Sequence, residues 1–337
     1  MPLRYCSPVR APEFWYRRTT GAGLAVRTLA PLGWAYGAAV AWKAATVKPY
    51  RSTAKVICVG NLTAGGTGKT PIAVAIAREL VERQLRVHIL TRGYGGHVRG
   101  PAVVHPQANS ASETGDEALV LAAVAPVIIS ADRAAGAKLA EKMGVDVIVM
   151  DDGHQNFSLA KDLSLVVVDS EQQFGNGRVL PAGPLREPVI QGLARADALV
   201  VIGEREFAPA RFAGPVLHAQ LVPVDVFGLK ERRVLAFAGI GDPEKFFRML
   251  RKLGAMVAGT HAFADHHVYS RREMARLRDE SYTKKAMLIT TEKDFVRLAP
   301  SQRNGIHYLP IRAAFDDSLA FGGLLDRIMP RPAMAIG

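Results

Sequence analysis

From Lys55 onward the chain alternates short, unbroken apolar runs with longer stretches of helical periodicity. The runs are VICVG (56–60), RVHILTR (86–92), PVIIS (126–130), VDVIVMDD (145–152), LSLVVVD (163–169) and ALVVIG (198–203). Between several of them lie helix-like segments such as PIAVAIARELVERQ and ADRAAGAKLAEKMG. Strands that are apolar at every position are buried on both faces, which predicts an α/β fold with a mostly parallel sheet covered by helices on either side. In such a sheet, ligands gather at the carboxyl ends of the strands. A second group of runs, RVLAFAGI (233–240), MVAGTHAF (256–263), MLITT (287–291) and HYLPIR (307–312), predicts a smaller α/β unit. The shift in composition across LVPVDVFGLKERR places the boundary near residues 222–232. The expected organisation is an N-terminal segment (1–50), a main sheet domain (51–225) and a smaller domain (226–337).

Composition fits that picture without changing it. Of 337 residues, 49% are hydrophobic and 22% charged, which excludes a disordered or collagen-like chain. Charge adds more. The formal net charge is +12, and residues 1–55 concentrate it: Arg4, Arg10, Arg17, Arg18, Arg27, Lys43, Lys48, Arg51 and Lys55 face one acid, Glu13. In the same region, Phe14, Trp15 and Tyr16 precede an apolar stretch from Thr28 to Trp42 that is interrupted by Pro31. That stretch is shorter than the roughly 20 residues a helix needs to cross a bilayer. With its flanking bases, and with Phe14, Trp15, Tyr16, Trp34, Tyr36 and Trp42 suited to a headgroup-level belt, it predicts an interfacial or marginally spanning membrane helix. The plainer alternative is a packed helix with a solvated basic face. No nucleic-acid-binding motif accompanies the charge. Two cysteines, Cys6 and Cys58, are too few for a disulfide framework and suit a reducing compartment.

The segment VICVGNLTAGGTGKTPIAVAIARELV runs from strand through glycine-rich turn to helix. Glycines let the backbone turn tightly and aim N–H groups at phosphate oxygens, and the helix N-terminus adds partial positive charge. The loop Thr63, Ala64, Gly65, Gly66, Thr67, Gly68, Lys69, Thr70 is therefore read as a nucleoside triphosphate site. Lys69 would reach the β- and γ-phosphates, and the Thr70 hydroxyl would ligate Mg²⁺. Thr63 stands where the usual motif has its first glycine.

Such a site needs a carboxylate to organise the cation. Asp151 and Asp152 end one apolar run and are followed by GHQN, while Asp169 ends another. The doubled acid is favoured because adjacent carboxylates repel unless a cation neutralises them, and Asp169 is alternatively a cap. Asp116 and Glu117 open a helical stretch, where the macrodipole favours acids in any case. Asp265-His266-His267 is a metal site, an oriented base or a polar loop. LPAGPLREP (180–188) reads as an ordered loop carrying Arg186 and Glu187, and Arg186 and Arg133 are candidate anion ligands. A switch-like GTPase of the metallochaperone type acting on a protein partner is the alternative; Thr291–Asp294 (TEKD) superficially matches its guanine-reading loop but lies in the second unit, far from the expected succession of strands. A soluble small-molecule kinase is a third possibility.

Taken in order, NLTAGGTGKTP, TRGYGG, GDEALVLA, ADRAAGA, VIVMDDGHQN, FGNGRVLPAGPLREP, FADHH and TTEKDFVRL resemble the tetraacyldisaccharide 4′-kinases, the lipid A 4′-kinase family. The resemblance extends from the N-terminal helix to about residue 312, and the family tolerates a residue other than glycine at Thr63. It implies ATP-dependent phosphorylation of the 4′-hydroxyl of a tetraacylated glucosamine disaccharide 1-phosphate, at the cytoplasmic face of the inner membrane. ATP and Mg²⁺ are the implied cofactors, and no obligatory protein partner or nucleic acid is implied. By the same resemblance Asp116 is the general base, assisted by His266 ahead of His267. Asp151 and Asp152 organise the metal, with Glu187 as a further ligand and Lys69 in the chemistry. Gln155, Arg133 and Arg186 lie beside nucleotide or substrate phosphate.

Overall fold

The computed structural model describes residues 12–16, 23–224 and 228–328. The expectations attached to Arg4, Cys6, Arg10, Arg17 and Arg18, and part of the expected boundary (225–227), lie outside these residues. In chain order the elements are α1 (Leu24–Thr46), β1 (Lys55–Gly60), α2 (Lys69–Glu82), β2 (Val87–Thr91), β3 (Ala102–Val103), α3 (Ala111–Thr114), α4 (Asp116–Leu121), β4 (Val127–Ile129), α5 (Arg133–Lys142) and β5 (Val147–Asp151). They continue through β6 (Leu163–Asp169), α6 (Val189–Leu193), β7 (Ala198–Ile202), β8 (Val216–Pro223), β9 (Arg233–Ala238), α7 (Pro243–Lys252) and β10 (Met256–Ala262). The last are α8 (Arg271–Thr283), β11 (Met287–Thr291), α9 (Glu292–Arg297), β12 (Ile306–Leu309), β13 (Ile311–Phe315) and α10 (Ser318–Asp326).

The larger sheet has the order β13-β8-β7-β6-β1-β5-β2-β4-β3. It is parallel except at its edges, where β13 and β3 run antiparallel to their neighbours. β1 is central, between β5 and β6, so the loop leaving it opens between two strand ends. Helices α2, α4 and α10 cover one face of this sheet; α5 and α6 cover the other. Each buried face is the reason the strands are apolar at every position. The smaller sheet, β10-β9-β11-β12, is wholly parallel, with α7 on one side and α8 on the other.

Two expectations change. HYLPIR is not one strand: Pro310 has no N–H for a ladder, and the run splits there. β12 completes the small sheet, whereas β13 crosses back and pairs with β8, Ala313 opposite Leu221. Residues 311–326 thus return to the large sheet rather than staying with the small one. Arg83, just past α2, holds this returning segment through Asp326 at 2.7 Å and the Gly322 carbonyl at 3.2 Å. β8 itself has no counterpart among the expected runs, because HAQ breaks its apolar pattern and it is only partly buried.

At the front of the chain α1 continues through Pro31 for 23 residues. It lies against the 179–188 loop through small residues: a Cβ on Gly33 would sit 2.8 Å from the Val179 carbonyl oxygen. Its large side chains point away, with Trp34 73% and Trp42 69% exposed. Trp15 does not join them; its indole N–H donates to the Pro181 carbonyl at 3.1 Å. Among the described residues, no helix is long and apolar enough to cross a membrane.

His154 anchors the floor beneath the end of β1, so close that a Cβ on Gly60 would come 2.5 Å from the His154 Cβ. It is fully buried, with Nε2 donating to the Gly192 carbonyl at 2.9 Å and Nδ1 3.1 Å from the Ser164 hydroxyl. Burial, with Lys161 nearby, pushes its pKa down to about 3. The unfolded chain, with histidine near about 6.5, takes up that proton first. His154 therefore contributes full stability above about pH 6.5 and progressively less as pH falls toward 3. Urea unfolding across that range should show stability declining with acid. In His154→Gln, less stable at neutral pH, the decline should be shallower; an unchanged slope contradicts the assignment.

Candidate active site

β1 leads into residues 61–68, and α2 begins at Lys69. Gly68 has φ 85°, a left-handed backbone that calls for glycine, and a Cβ there would also press on Ile202 Cδ1 at 2.5 Å. Thr63 needs no such freedom. Its backbone is outside the left-handed region and bridges to Leu185. The Asn61 side-chain amide ties the loop from within, donating to the Thr63 carbonyl at 2.7 Å and to Thr67 Oγ1 at 3.1 Å. From outside, Ala64 N–H donates to the Pro184 carbonyl and Arg186 N–H to the Leu62 carbonyl, both at 2.7 Å. LPAGPLREP is thus the outer wall of the phosphate loop. Gly65 and Gly66 stay exposed, with their backbone open to a ligand.

β5 runs beside β1 with Asp151 opposite Val59, which sets the acidic strand end next to the loop. Asp151 is buried, and neither carboxylate oxygen has a hydrogen-bond partner among the described residues. Burial, with Glu117 and Asp152 close by, pushes it up to about 7. Asp152 has φ 51° and turns the other way. Its carboxylate accepts from Arg186 Nη1 at 2.9 and 3.1 Å and lies 3.7 Å from Lys69 Nζ. Burial alone would raise Asp152, but Lys69 and Arg186 outweigh it and hold the pKa below the usual carboxylate value. Asp169, the competing strand end, caps the following turn through the N–H groups of Glu171 and Gln172 and pairs with Lys245 at 3.2 Å.

Arg133, the first residue of α5, is buried, and its Nε has no hydrogen-bond partner among the described residues, while Nη1 donates to the Ser130 carbonyl. Gln155 Nε2 donates to the Asn61 carbonyl at 2.9 Å and to Glu187 Oε1 at 2.8 Å. The other oxygen of Glu187 takes Arg195 Nη2 at 2.5 Å. With both oxygens engaged, Glu187 orients Gln155, and its geometry lends no support to a metal-ligand role. Among the described residues, no three His, Cys, Asp or Glu side chains cluster to hold an ion. Mg²⁺ at nucleotide sites usually keeps waters and phosphate oxygens, so one or two protein ligands suffice.

The mouth of the site lies between the two units. Asp116, the first residue of α4, is buried, and its Oδ2 receives Arg297 Nε at 2.7 Å and also Arg297 Nη2. His266 Nδ1 lies 3.3 Å from the same oxygen. Burial opposes the Asp116 charge, but the His266 hydrogen bond and the Arg297 and Lys293 cations hold its pKa well below the usual carboxylate range. Asp116 in turn raises His266. His267 is otherwise occupied, stacked on Phe263 and 3.2 Å from Glu273 Oε1. Lys293 pairs with Glu117 at 2.7 Å.

Arg297, Lys293 and Arg195 were not among the candidates drawn from the sequence. The signal for the first two was the i, i+4 spacing of two cations in TTEKDFVRL. The guanine-reading alternative fails at its carboxylate. Asp294 is fully buried, accepting from Gly239 N–H at 3.0 Å, Tyr269 OH at 2.8 Å and Thr291 Oγ1 at 2.6 Å.

A phosphate loop on the central strand, an acidic neighbouring strand end and a carboxylate–histidine pair at the mouth define a P-loop phosphotransferase. A sequence model described as tetraacyldisaccharide-1-P 4′-kinase matches residues 25–329. A tetraacyldisaccharide 4′-kinase of Rhodospirillum rubrum is 48% identical over 329 residues, covering 95% of this chain and 98% of that protein. One from Dinoroseobacter shibae is 46% identical over 332 residues, covering 96% of this chain and 98% of its own length. The crystal structure of Aquifex aeolicus LpxK, an "apo" form in complex with ATP, superposes with TM-score 0.74 at 29% identity, covering 90% of this chain and 99% of that one. The chain belongs to the tetraacyldisaccharide-1-P 4′-kinase family.

Lys69→Ala should weaken ATP binding and lower kcat by about 10²-fold or more, read by calorimetry and labelled-phosphate transfer. Asp151→Asn should keep the fold while removing the magnesium dependence of nucleotide affinity. Magnesium-dependent binding equal to wild type would place the cation elsewhere.

Proposed function

We propose that this enzyme transfers the γ-phosphoryl group of ATP to the 4′-hydroxyl of a tetraacylated glucosamine disaccharide 1-phosphate in lipid A synthesis. The observation that carries this reading is the Asp116–His266 pair across the interface between the units, whose neighbours Glu117 and Lys293 lie close enough to Asp151, beside the phosphate loop, to act on its charge. The acceptor oxygen forms a bond to the γ-phosphorus as the bond to the β–γ bridging oxygen breaks, releasing ADP. The hydroxyl proton passes to the Asp116–His266 pair, a step worth about 10²- to 10⁴-fold in such reactions.

Lys69 and the loop N–H groups bind the phosphates and hold the charge that develops during transfer. Bound Mg²⁺ supplies further positive charge on the phosphates. Thr70 and Asp151 fit it, because the buried, unpartnered Asp151 carboxylate lacks a positive partner. Asp152, clamped by Arg186, keeps Lys69 in place. Arg133, with its free Nε, is the candidate for an anionic oxygen of nucleotide or acceptor, and Gln155 lines the wall nearby.

Four acyl chains leave a bilayer at a cost of about 0.8 kcal/mol per exposed CH₂, so the enzyme goes to the lipid. α1 suits an interfacial position at the cytoplasmic face of the inner membrane. Its outward Leu24, Leu32, Trp34 and Trp42 offer the apolar surface, and Arg27 and Lys43 the charge for anionic headgroups.

Purified full-length protein should transfer label from γ-labelled ATP to the disaccharide lipid in mixed micelles. A folded, nucleotide-binding sample that fails to do so refutes the reading. Asp116→Ala should lower kcat by about 10²-fold or more with nucleotide affinity nearly intact; collapse of nucleotide binding would mean that its role is wrong. Replacing Trp34 and Trp42 together by Glu should move the protein from membrane to soluble fractions. Unchanged fractionation would contradict the membrane role of α1.

A further inference from the structure

We propose that Arg297 is a positioning residue for this reaction: supplied by the smaller unit, it fixes the Asp116 carboxylate and the His266 imidazole relative to one another. The inference rests on the assignment of the proton-accepting pair above. Arg297 is the last residue of α9, whereas Asp116 is the first of α4 on the large sheet. Its Nε and Nη2 both reach Asp116 Oδ2, while Nη1 points back to the Gly239 carbonyl and to Asp294 Oδ1. Asp294 is itself pinned by Gly239 N–H, Tyr269 OH and Thr291 Oγ1, so the guanidinium plane is held from behind. Only 5% of the Arg297 side chain is exposed.

Arg297 Nη2 also lies 3.3 Å from His266 Nδ1, the nitrogen that is 3.3 Å from Asp116 Oδ2. Three groups therefore meet at one oxygen. With Nδ1 directed there, the opposite ring nitrogen is set on the far side of the imidazole. A planar fork with donors in fixed directions can do this; an ammonium on a flexible stem holds charge but not orientation. The same two helices make a second pair one residue along, Lys293 to Glu117 at 2.7 Å. The small unit must therefore be seated on α4 for the pair to be aligned.

Among the described residues, the titratable and charged groups facing the pair are Arg297 and Lys293 from α9, Glu117 from α4, Asp265 beside His266, and Tyr94, whose ring meets His266 edge-on at 5.4 Å. Losing the Arg297 cation removes a stabiliser of the Asp116 carboxylate and a repeller of the His266 imidazolium. Both changes raise the pKa, so the acidic limb of kcat moves to higher pH whichever partner takes the proton.

The test uses the full chain, the disaccharide lipid in mixed micelles and labelled ATP, with kcat and both KM values measured across pH, and thermal melting alongside. Arg297→Gln should lower kcat by about 10- to 100-fold. Its KM for ATP should stay within about threefold, and its acidic limb should move up by about half a pH unit or more. Arg297→Lys should recover part of the rate, with its KM for ATP likewise within about threefold of wild type. A folded Arg297→Gln with an unmoved limb, or an Arg297→Lys with wild-type kcat, overturns the proposal. So does failure of both variants to melt cooperatively, since Arg297 would then be a strut of the interface. Absence of transfer by the wild-type protein would instead refute the functional reading.

Discussion

Unbalanced negative charge at the carboxyl edge of the large sheet is the constraint that the rest of the structure serves. Asp116, Glu117, Asp151, Asp152 and Asp169 all lie at that edge, around a loop shaped to receive further anions. Carboxylates gathered in a partly buried site repel one another unless cations are brought to them. The large unit supplies Lys69 and Arg186 to Asp152. The small unit supplies Lys293, Arg297 and Lys245 to Glu117, Asp116 and Asp169. Asp151 is left with neither hydrogen bond nor ion pair among the described residues, and its raised pKa expresses that deficit. Of these five acids, Asp151 is the one without a partner among the described residues, and it ends the strand beside the phosphate loop, where a divalent cation would complete the balance.

The chain path makes this arrangement firm. The small unit is not a bead on a string, because after β12 the backbone crosses to pair with β8 and closes with α10 over α2. The helix that begins with Lys69 is thus held at its far end by the segment that follows the cation-bearing α9. Arg312 of β13 reinforces this by pairing with Glu292, at the start of α9, at 3.0 Å. The 180–188 wall also links the phosphate loop to α1.

Most of the sheet and the phosphate loop were legible because their signals are local: continuous apolar runs, a glycine-rich turn and a doubled aspartate fall within single windows of sequence. What stayed hidden depended on distant partners. Arg297 and Lys293 read as ordinary helix charges until α9 meets α4. Asp294 looked like a base-reading carboxylate until Tyr269 and Gly239 were seen to occupy it. Glu187 suggested a metal ligand, yet Arg195 and Gln155 take both its oxygens. Phe14-Trp15-Tyr16 suggested a membrane belt, but Trp15 docks on the 176–181 loop instead. β8 escaped because a half-exposed strand with polar positions lacks the signature of its buried neighbours.

The central claim, that one site is assembled from both units around the charge at this edge, is tested most directly by a structure with magnesium, a non-hydrolysable ATP analogue and the lipid acceptor. The account predicts the cation on Thr70 and Asp151, the γ-phosphate against Lys69, and the acceptor 4′-oxygen within hydrogen-bond reach of the Asp116–His266 pair. A nucleotide seated away from Lys69, or an acceptor hydroxyl that approaches from a side remote from α9, would contradict it.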